Sequence, residues 1–268
     1  MKKILSVCLL IAAGLACFAK DHLTIHLMGD STCATYNTTE RSSYRGWGQI
    51  FPFFFDKGVV VVNYAKGGAS TKTFQEKGIW EDVKAMVKPG DIVMIQFGHN
   101  DENTDPRHTE PDEYKANLTL FVTTLKELGA KPVLLTPICR RRFINGHAAR
   151  YGGGNWNHLN YSPKVFEVAK EQGVPVIDGE TRSLQWLENL GPEAAKDYFV
   201  WYKPGDYPSP AEGKNDDTHL NQKGAYEVAK MFAEDLARVR NEVSPHHKDA
   251  DYRTGEDKLG VIKVWSEE

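Results

Sequence analysis

The sequence predicts one α/β domain built around a parallel sheet of five strands. Short runs rich in Val, Ile and Leu alternate along the chain with longer amphipathic segments. Strands that alternate with helices in this way form parallel sheets with right-handed crossovers. Two of the runs, residues 59–63 (VVVVN) and 91–97 (DIVMIQF), are almost continuously apolar, which is typical of strands covered on both faces. Neither a repeat nor a linker rich in Pro, Gly or Ser divides the chain.

The first half of the domain begins with a strand at residues 23–28, of sequence LTIHLM. A helix with an aromatic face is expected at residues 44–55, and the second strand follows at 59–63. Residues 79–87 form the next predicted helix, because the helical pattern stops before Lys88-Pro89-Gly90. The third strand is expected at residues 91–97.

The second half opens with a long amphipathic helix at residues 111–128, where Gly129 is placed to cap the C-terminus. A strand at 132–136, a helix at 162–172, a short strand at 175–177 and a closing amphipathic helix at 221–238 complete the pattern. Residues 140–161 and about 190–217 remain as long polar and aromatic loops. Long irregular loops in a compact domain usually carry function.

The N-terminus has the pattern of a secretory signal peptide. Lys2 and Lys3 precede an almost wholly apolar segment at residues 4–19, and charge begins abruptly at Lys20. This apolar segment is short for a membrane span, and Ala19 with Cys17 gives the small residues that a signal peptidase recognises. We therefore expect residues 1–19 to be a signal peptide, residues 20–242 the folded domain and residues 243–268 a polar tail. The mature protein would be exported to the periplasm or outside the cell, with no transmembrane span.

A lipid anchor is the alternative to simple cleavage. Leu15-Ala16-Cys17 is similar to the end of a lipobox, although Gly14 stands where a lipobox usually has Leu. Cleavage near Ala19 is the favoured prediction, and lipid attachment at Cys17 stays open.

Charge and cysteine content narrow the class of protein further. The 268 residues include 33 Lys and Arg against 36 Asp and Glu, for a formal net charge of −3. The basic residues are scattered, so the chain lacks the basic stripe of a nucleic-acid binder and no nucleic-acid partner is expected. Outside the N-terminal segment only Cys33 and Cys139 remain. They have no zinc-type spacing, and we expect both thiols to be free.

Chemically active residues follow the predicted strands. Ligands bind an open parallel sheet at the carboxyl ends of its strands. The segments at this edge are Gly29-Asp30-Ser31-Thr32, Asn63-Tyr64-Ala65-Lys66-Gly67-Gly68-Ala69-Ser70 and Gly98-His99-Asn100-Asp101, with Asp216-Asp217-Thr218-His219 just before the last helix. Together they supply a nucleophile, a general base with an orienting carboxylate, and oxyanion donors. This inventory predicts acyl transfer.

These four blocks resemble the SGNH (GDSL-type) hydrolase superfamily, and within it the rhamnogalacturonan acetylesterase-like enzymes. The blocks extend from Gly29 to His219, most of the chain after the predicted signal. Similarity to the acetylesterase branch rests on GHND, on NYAKGGAS and on residues 136–143 (TPICRRRF). The resemblance implies a three-layer α/β/α, flavodoxin-like fold with its five parallel strands in the order 2-1-3-4-5.

The resemblance also implies a role for each matching residue. Ser31 would be the nucleophile, His219 its base and Asp216 the carboxylate that holds the imidazole. Asp217 is the competing acid, but family triads place the acid three residues before the histidine. The oxyanion hole would consist of the backbone N–H groups of Ser31 and Gly68 with the side-chain amide of Asn100. Gly67 competes with Gly68 for this role.

Four further residues are candidates for substrate binding. Arg140, Arg141 and Arg142 follow the fourth strand at the ligand edge, and Arg suits planar recognition of carboxylates. A solvated charge run is the plainer interpretation of the same three residues. Trp156 has the ring to stack on a sugar, although aromatic residues in loops are more often anchors. The partner implied is an acetylated acidic polysaccharide or oligosaccharide.

The resulting hypothesis is a secreted serine esterase that removes O-acetyl groups from pectic, rhamnogalacturonan-type polysaccharide through an acetyl-enzyme, with no metal or cofactor. An SGNH lipase or thioesterase and an acetyl xylan esterase are the alternatives within the superfamily. A metallophosphoesterase is disfavoured, because the Asp-x-His expected ahead of Gly29-Asp30 is missing. The complete set of candidate catalytic residues argues against a non-catalytic carbohydrate-binding protein.

Overall fold

A computed structural model describes residues 23–37, 43–149, 158–206 and 211–243. The strands of these residues are, in chain order, β1 Leu23–Gly29, β2 Val59–Asn63, β3 Ile92–Gln96, β4 Lys131–Leu135, β5 Phe143–Ile144, β6 His147–Ala148, β7 Val176–Ile177, β8 Phe199–Tyr202 and β9 Lys214–Leu220. Five of them form a parallel sheet in the order β2-β1-β3-β4-β7. With β7 counted as the fifth strand, this is the predicted order 2-1-3-4-5, which is confirmed.

Helices cover both faces of the sheet, so the predicted three-layer α/β/α fold is confirmed. The α-helices are α1 Trp47–Ile50, α2 Thr71–Glu76, α3 Ile79–Met86, α4 Pro111–Glu127, α5 Ser162–Gln172, α6 Gly179–Ala194 and α7 Gln222–Val243. Short 3₁₀ helices occur at Phe51–Phe54, His158–Asn160 and Ala195–Tyr198. One core lies between the sheet and α1, α6 and α7, and the other lies between the sheet and α2 to α5.

The strand β3 shows how the two cores arise. Successive side chains of a strand point to opposite faces. Ile92 and Met94 accordingly enter the core that contains Trp47, whereas Val93 and Ile95 enter the core that contains Phe121. Every residue of β3 is buried, as its continuous apolar sequence predicts.

The strand β2 departs from its prediction. Its sequence VVVVN suggests a strand covered on both faces, but β2 lies at the edge of the sheet and Val60 is 45% exposed. A run of β-branched residues indicates a strand and not its position in the sheet, because central and edge strands share that propensity.

Two predicted segments also change character. The helix expected at 44–55 is only the single turn α1 followed by a 3₁₀ turn with Pro52 near its start, because proline cannot donate the hydrogen bond that an α-helix interior needs. The loop expected at about 190–217 contains the end of α6 and an antiparallel pair, β8 with β9. The sequence prediction missed α2 and α6, and it missed the β5–β6 hairpin within the other long loop.

Several predictions fall outside the described residues. These are the signal peptide at 1–19 with the lipid site at Cys17, the tail beyond residue 243, and Trp156. Within the described ranges, none of the helices combines the length and apolar character that a membrane span requires. Cys33 and Cys139 are buried, and within the described residues neither forms a disulfide.

Candidate active site

Ser31, His219 and Asp216 form one hydrogen-bonded chain. The Oγ of Ser31 lies 2.9 Å from Nε2 of His219, and Nδ1 of the same ring lies 2.8 Å from Oδ2 of Asp216. The other Asp216 oxygen accepts hydrogen bonds of 2.9 Å from the backbone N–H groups of Thr218 and His219. With Nδ1–H donating to the carboxylate, Nε2 is left to accept the Ser31 proton, which is the arrangement of a serine nucleophile and its base.

The carboxylate of Asp216 remains charged throughout the neutral pH range. Burial by itself would raise its pKa, but the hydrogen bonds and the charge of His219, with the backbone donors, lower the pKa to about 2. A fixed negative charge next to Nδ1 stabilises the imidazolium that forms when Nε2 takes a proton.

The competing carboxylate, Asp217, faces a different set of partners. Its Oδ1 accepts a hydrogen bond of 2.8 Å from Nε1 of Trp201 and lies 3.2 Å from Nε of Arg141. The structure therefore places Asp216, and not Asp217, against His219. The three-residue spacing lets both carboxyl oxygens of Asp216 bind the same short segment. One oxygen contacts the His219 ring, and the other accepts from the backbone N–H groups of Thr218 and His219.

A buried turn after β1 positions Ser31. The Asp30 side chain is fully buried and its Oδ1 accepts hydrogen bonds of 2.8 Å from the backbone N–H and from the hydroxyl of Thr32. The hydroxyl of Tyr36 donates to the Ser31 carbonyl at 2.8 Å. Asp30 thus shapes the turn that presents the serine, which leaves Ser31 itself 8% exposed.

The loops that carry the predicted oxyanion donors contact one another. Asp30, next to Ser31, lies with its Oδ2 3.1 Å from Nδ1 of His99, next to Asn100. The amide nitrogen of Asn100 donates at 2.9 Å to the carbonyl of Ala69, next to Gly68. The structure therefore brings the three predicted donors to one place at the ends of β1, β2 and β3.

Gly68 and Gly67 differ in conformation and exposure. Gly68 has a φ of 74° and is partly buried, whereas Gly67 is exposed and a Cβ there would meet no neighbour within 4 Å. The positive φ is a conformation that glycine adopts readily and other residues rarely do. Of the two glycines, only Gly68 combines partial burial with a positive φ.

A buried polar network lies beneath the site and includes Arg140. Its guanidinium donates to the hydroxyl of Thr218 at 2.6 Å and to Glu102 at 2.7 Å. The second oxygen of Glu102 lies 3.2 Å from Nδ1 of His158. Thr218 stands between the two triad residues of β9, so Arg140 connects that strand to the loop after β3. The side chain of Arg140 is only 12% exposed.

The other two predicted arginines occupy different environments. The Arg141 guanidinium lies 4.5 Å from the centre of the Trp201 ring and forms the ion pair with Asp217, with 10% of its side chain exposed. Arg142 is partly buried at the start of the β5–β6 hairpin, where its carbonyl accepts from Ala149 at 2.9 Å.

Two residues at the site were missed by the sequence prediction. The Tyr44 ring packs edge-on against His219 with 5.3 Å between ring centres, and its hydroxyl lies 3.4 Å from Asp216 Oδ2. Arg107 donates from Nη1 to Oδ1 of Asn100 at 2.8 Å. Tyr44 was assigned to a helix face, and Arg107, seven residues after Asn100, belongs to no motif. Only the three-dimensional contacts identify them.

In the parts of the chain that the structure describes, no group of three or more His, Cys, Asp or Glu side chains could hold a metal ion.

Comparison with known proteins places this fold and this geometry in a family. Residues 27–226 match the GDSL-like Lipase/Acylhydrolase family. The chain is 39% identical to rhamnogalacturonan acetylesterase RhgT of Bacillus subtilis (strain 168), over 85% of this chain and 95% of that protein. It is 34% identical to the probable rhamnogalacturonan acetylesterase YesY of the same strain, over 80% and 93%.

A solved structure agrees with the fold. The crystal structure of protein YXIM from Bacillus subtilis matches with a TM-score of 0.67 and 30% identity over 81% of this chain. The chain covers 56% of that protein's length. Both the family match and the relatives extend over far more than half of the chain. The chain belongs to the GDSL-like (SGNH) lipase/acylhydrolase family and is a carboxylic ester hydrolase.

Proposed function

We propose that this chain is a secreted acetylesterase that removes O-acetyl groups from rhamnogalacturonan-type pectic polysaccharide through an acetyl-enzyme. The observation that carries the proposal is the hydrogen-bonded chain from Ser31 through His219 to Asp216 on the fold of an ester hydrolase family. The substrate class follows from the names of two relatives that the chain matches over at least 80% of its length.

The geometry supports a two-step acyl transfer. Nε2 of His219 takes the proton of Ser31 as Oγ attacks the acetyl carbonyl, and Asp216 stabilises the resulting imidazolium. The tetrahedral intermediate collapses when the imidazolium returns the proton to the departing sugar oxygen, leaving an acetyl ester on Ser31. Water then attacks this ester while His219 accepts its proton. The imidazolium returns that proton to Oγ of Ser31 as the second tetrahedral intermediate collapses, and acetate leaves.

The negative oxygen of each tetrahedral intermediate needs hydrogen-bond donors that are already in place. We assign this role to the backbone N–H groups of Ser31 and Gly68 and to the second amide N–H of Asn100, the first being used on Ala69. Each donor of this kind contributes about 2.7–4 kcal/mol to transition-state stabilisation in other serine hydrolases.

Two cations that lie over the Trp201 ring of the β8–β9 hairpin are already paired with carboxylates of the chain. Arg141 pairs with Asp217 at 3.2 Å, and Lys196 pairs with Glu193 at 2.7 Å. These pairs carry no net positive charge that would favour acidic galacturonate over neutral xylan, so the choice of polymer rests on the two relatives. Arg142 and Trp156 remain candidates for further contacts with the sugar chain.

Export is part of the proposal and rests on the N-terminal sequence alone. An exported enzyme would meet pectic polymers, which are too large to enter a cell. The full chain should be expressed in a bacterial host and the mature protein weighed by mass spectrometry. A chain that starts after Ala19 supports simple secretion, a lipid-modified Cys17 indicates an anchor, and an unprocessed N-terminus in the cytoplasm contradicts export.

Acetate release tests the activity and the substrate together. Wild type and Ser31→Ala should be assayed on acetylated rhamnogalacturonan and on acetylated xylan. The matched control is Ser162→Ala, because Ser162 is a buried serine of α5 whose hydroxyl has no partner in the described part of the chain. Release from the pectic polymer by wild type and by Ser162→Ala, lost in Ser31→Ala, is the expected result.

Other results would change the proposal in distinct ways. Release from xylan alone keeps the serine mechanism and overturns the substrate. Activity that rises from p-nitrophenyl acetate to p-nitrophenyl octanoate indicates a lipase or thioesterase. Acetate release that is unchanged in Ser31→Ala contradicts the mechanism.

A further inference from the structure

Arg107 lies next to two of the three assigned oxyanion donors. Its Nη1 donates to Oδ1 of Asn100 at 2.8 Å, and the same atom would lie 3.7 Å from a Cβ placed on Gly68. We propose that Arg107 is a positioning residue that orients the Asn100 amide toward the oxyanion. This inference rests on the proposed function, because it assumes that Asn100 is an oxyanion donor.

The Asn100 amide needs a partner at each end to present the correct atom. An amide has two N–H donors on one side and a carbonyl acceptor on the other, and rotation by half a turn exchanges them. In the observed orientation one N–H binds Ala69 O, the carbonyl binds Arg107, and the second N–H is left for the substrate oxygen. The exchanged orientation would set Oδ1 against the Ala69 carbonyl and the amide nitrogen against the guanidinium. Both contacts are repulsive, so Arg107 and Ala69 select the same orientation.

Arg107 also strengthens the donor that it orients. A cation that binds Oδ1 draws electron density from the amide and makes its N–H groups more positive, as happens in chains of hydrogen bonds. Asn100 is 5% exposed, whereas 38% of the Arg107 side chain is exposed and its charge is paired with Asp105, so water and the carboxylate weaken this polarisation. The oxyanion would still meet a better hydrogen-bond donor than an unassisted asparagine.

The guanidinium is itself held in place by Asp105. Nε of Arg107 lies 2.9 and 3.0 Å from the two carboxylate oxygens, and Nη2 contacts the second of them. The Asp105 carboxylate also accepts the backbone N–H of Arg107 at 2.9 Å. The hydrogen bonds that Arg107 donates to Asp105, together with the charge of that carboxylate, raise the pKa of Arg107 above its ordinary value, so the side chain stays charged. Arg107 belongs to the loop between Asp101 and Thr109, which is closed by a hydrogen bond of 3.0 Å from the Thr109 N–H to the Asp101 carbonyl.

Binding of a substrate carboxylate is the competing role for an arginine at an active site. All three nitrogens of the Arg107 guanidinium already donate to Asn100 or to Asp105. The Nε–Nη2 edge, one of the two edges that can bind a carboxylate with two hydrogen bonds, is occupied by Asp105, so a substrate carboxylate could reach only the N–H groups of Nη1 and Nη2 that these bonds leave over. The contacts therefore favour an effect on the rate of the chemical step over an effect on polymer binding.

A double-mutant cycle on p-nitrophenyl acetate tests this assignment, because that substrate has no carboxylate. Arg107→Ala should lower kcat about tenfold with KM within about twofold, less than the hundredfold or more expected for removing a direct donor. Once Asn100→Ala has removed the amide, adding Arg107→Ala should change kcat by less than about twofold, since a residue that acts through Asn100 then has nothing to orient. Free guanidinium ion should restore part of the activity of Arg107→Ala, but none in the double variant.

The matched control is Arg238→Ala. Arg238 is an exposed arginine of α7 that also pairs with a carboxylate, Asp235, at 3.0 Å, and its loss should leave kcat unchanged. An equal fall of kcat on adding Arg107→Ala to wild type and to Asn100→Ala would overturn the inference. So would unchanged kinetics on the small ester combined with a raised KM on the polymer. An inactive wild type, or full activity in Ser31→Ala, would instead refute the proposed function.

Discussion

The Tyr44 hydroxyl and the His219 ring share one oxygen of Asp216. Tyr44 lies 3.4 Å from Oδ2, and Nδ1 of His219 lies 2.8 Å from the same atom. Burial, with the nearby Asp216 charge, raises the pKa of Tyr44 to about 12, so its proton stays in place at neutral and moderately alkaline pH. Tyr44 thus supports the carboxylate and also packs against the imidazole that the carboxylate orients.

Tyr44→Phe keeps the ring and removes this donor. We expect kcat to fall about threefold to tenfold, because a hydrogen bond to a charged group contributes about 1.5–3 kcal/mol at most and the 3.4 Å contact is long. Tyr64→Phe is the control, since the buried Tyr64 hydroxyl has no partner among the described residues. Steady-state kinetics on p-nitrophenyl acetate measures both variants. Equal rates for Tyr44→Phe and wild type would show that the hydroxyl has no part in the reaction.

The two adjacent carboxylates should differ sharply in their effect on catalysis. Asp216→Asn should lower kcat by about 10⁴-fold, as replacement of the triad carboxylate does in a serine protease, because the amide favours the wrong imidazole tautomer. Asp217→Asn alters only the contacts with Trp201 and Arg141 and should retain most of kcat. The same ester assay compares them. A larger loss for Asp217→Asn than for Asp216→Asn would reverse the assignment of the acid.

Much of the site follows from the sequence because polar residues directly after parallel strands meet at one edge of the sheet. The segments that contain Ser31, Gly68 and Asn100 are recognisable for that reason, and the resemblance to the SGNH superfamily supplied the role of each residue. His219 and Asp216 follow from the spacing of acid and histidine in the triads of the family that the chain resembles. The strand β9 that carries them (KNDDTHL) has no apolar periodicity, so its sequence predicts a loop. Its pairing partner β8 is only four residues long and falls in the same predicted loop, so it gives little local signal.

The remaining contacts of the site depend on which side chains the fold brings together. Arg140 belongs to a run of three arginines whose composition suggests a solvated or substrate-binding surface. In the structure it binds Glu102 and Thr218 from two other segments. Arg107 likewise gains its role from Asn100 and Asp105. Ion pairs of this kind have no periodicity that a sequence could reveal.

Asp30 makes the stability of the fold depend on pH in the acid range. Burial alone would raise its pKa, but contacts with His99 and Thr32 lower the pKa from 3.8 to about 2. The unfolded chain therefore takes up the proton first as the pH falls. This carboxylate therefore stabilises the fold above pH 4, and that share of the free energy of unfolding is lost as the pH falls from about 4 to about 2.

Urea unfolding at a series of pH values measures this contribution. Asp30→Asn should be less stable than wild type at pH 7, and the difference should shrink as the pH falls from 4 to 2. Asp101→Asn is a control of opposite sign, because burial raises the pKa of Asp101 to about 6. Ionisation of Asp101 therefore lowers the free energy of unfolding as the pH rises from 4 to 6, and Asp101→Asn should not show this decrease. A constant difference between wild type and Asp30→Asn at every pH would contradict the account.

Chelation distinguishes the serine mechanism from a metal-dependent one. Ser31, His219 and Asp216 together provide the nucleophile, the base and its support, so ester hydrolysis should be unchanged after prolonged treatment with EDTA and gel filtration. Loss of activity that returns with added Zn²⁺ or Mn²⁺ would favour the metallophosphoesterase alternative.

The most direct test of the account is to identify the residue that becomes acylated. The enzyme should be mixed with p-nitrophenyl acetate, quenched in acid within the first turnovers and digested for mass spectrometry. An acetyl group on the peptide that contains Ser31, absent in Ser31→Ala, is the predicted result. An acetyl group on another residue during turnover, or rapid hydrolysis with no acetylated peptide in wild type and full activity in Ser31→Ala, would contradict the central claim.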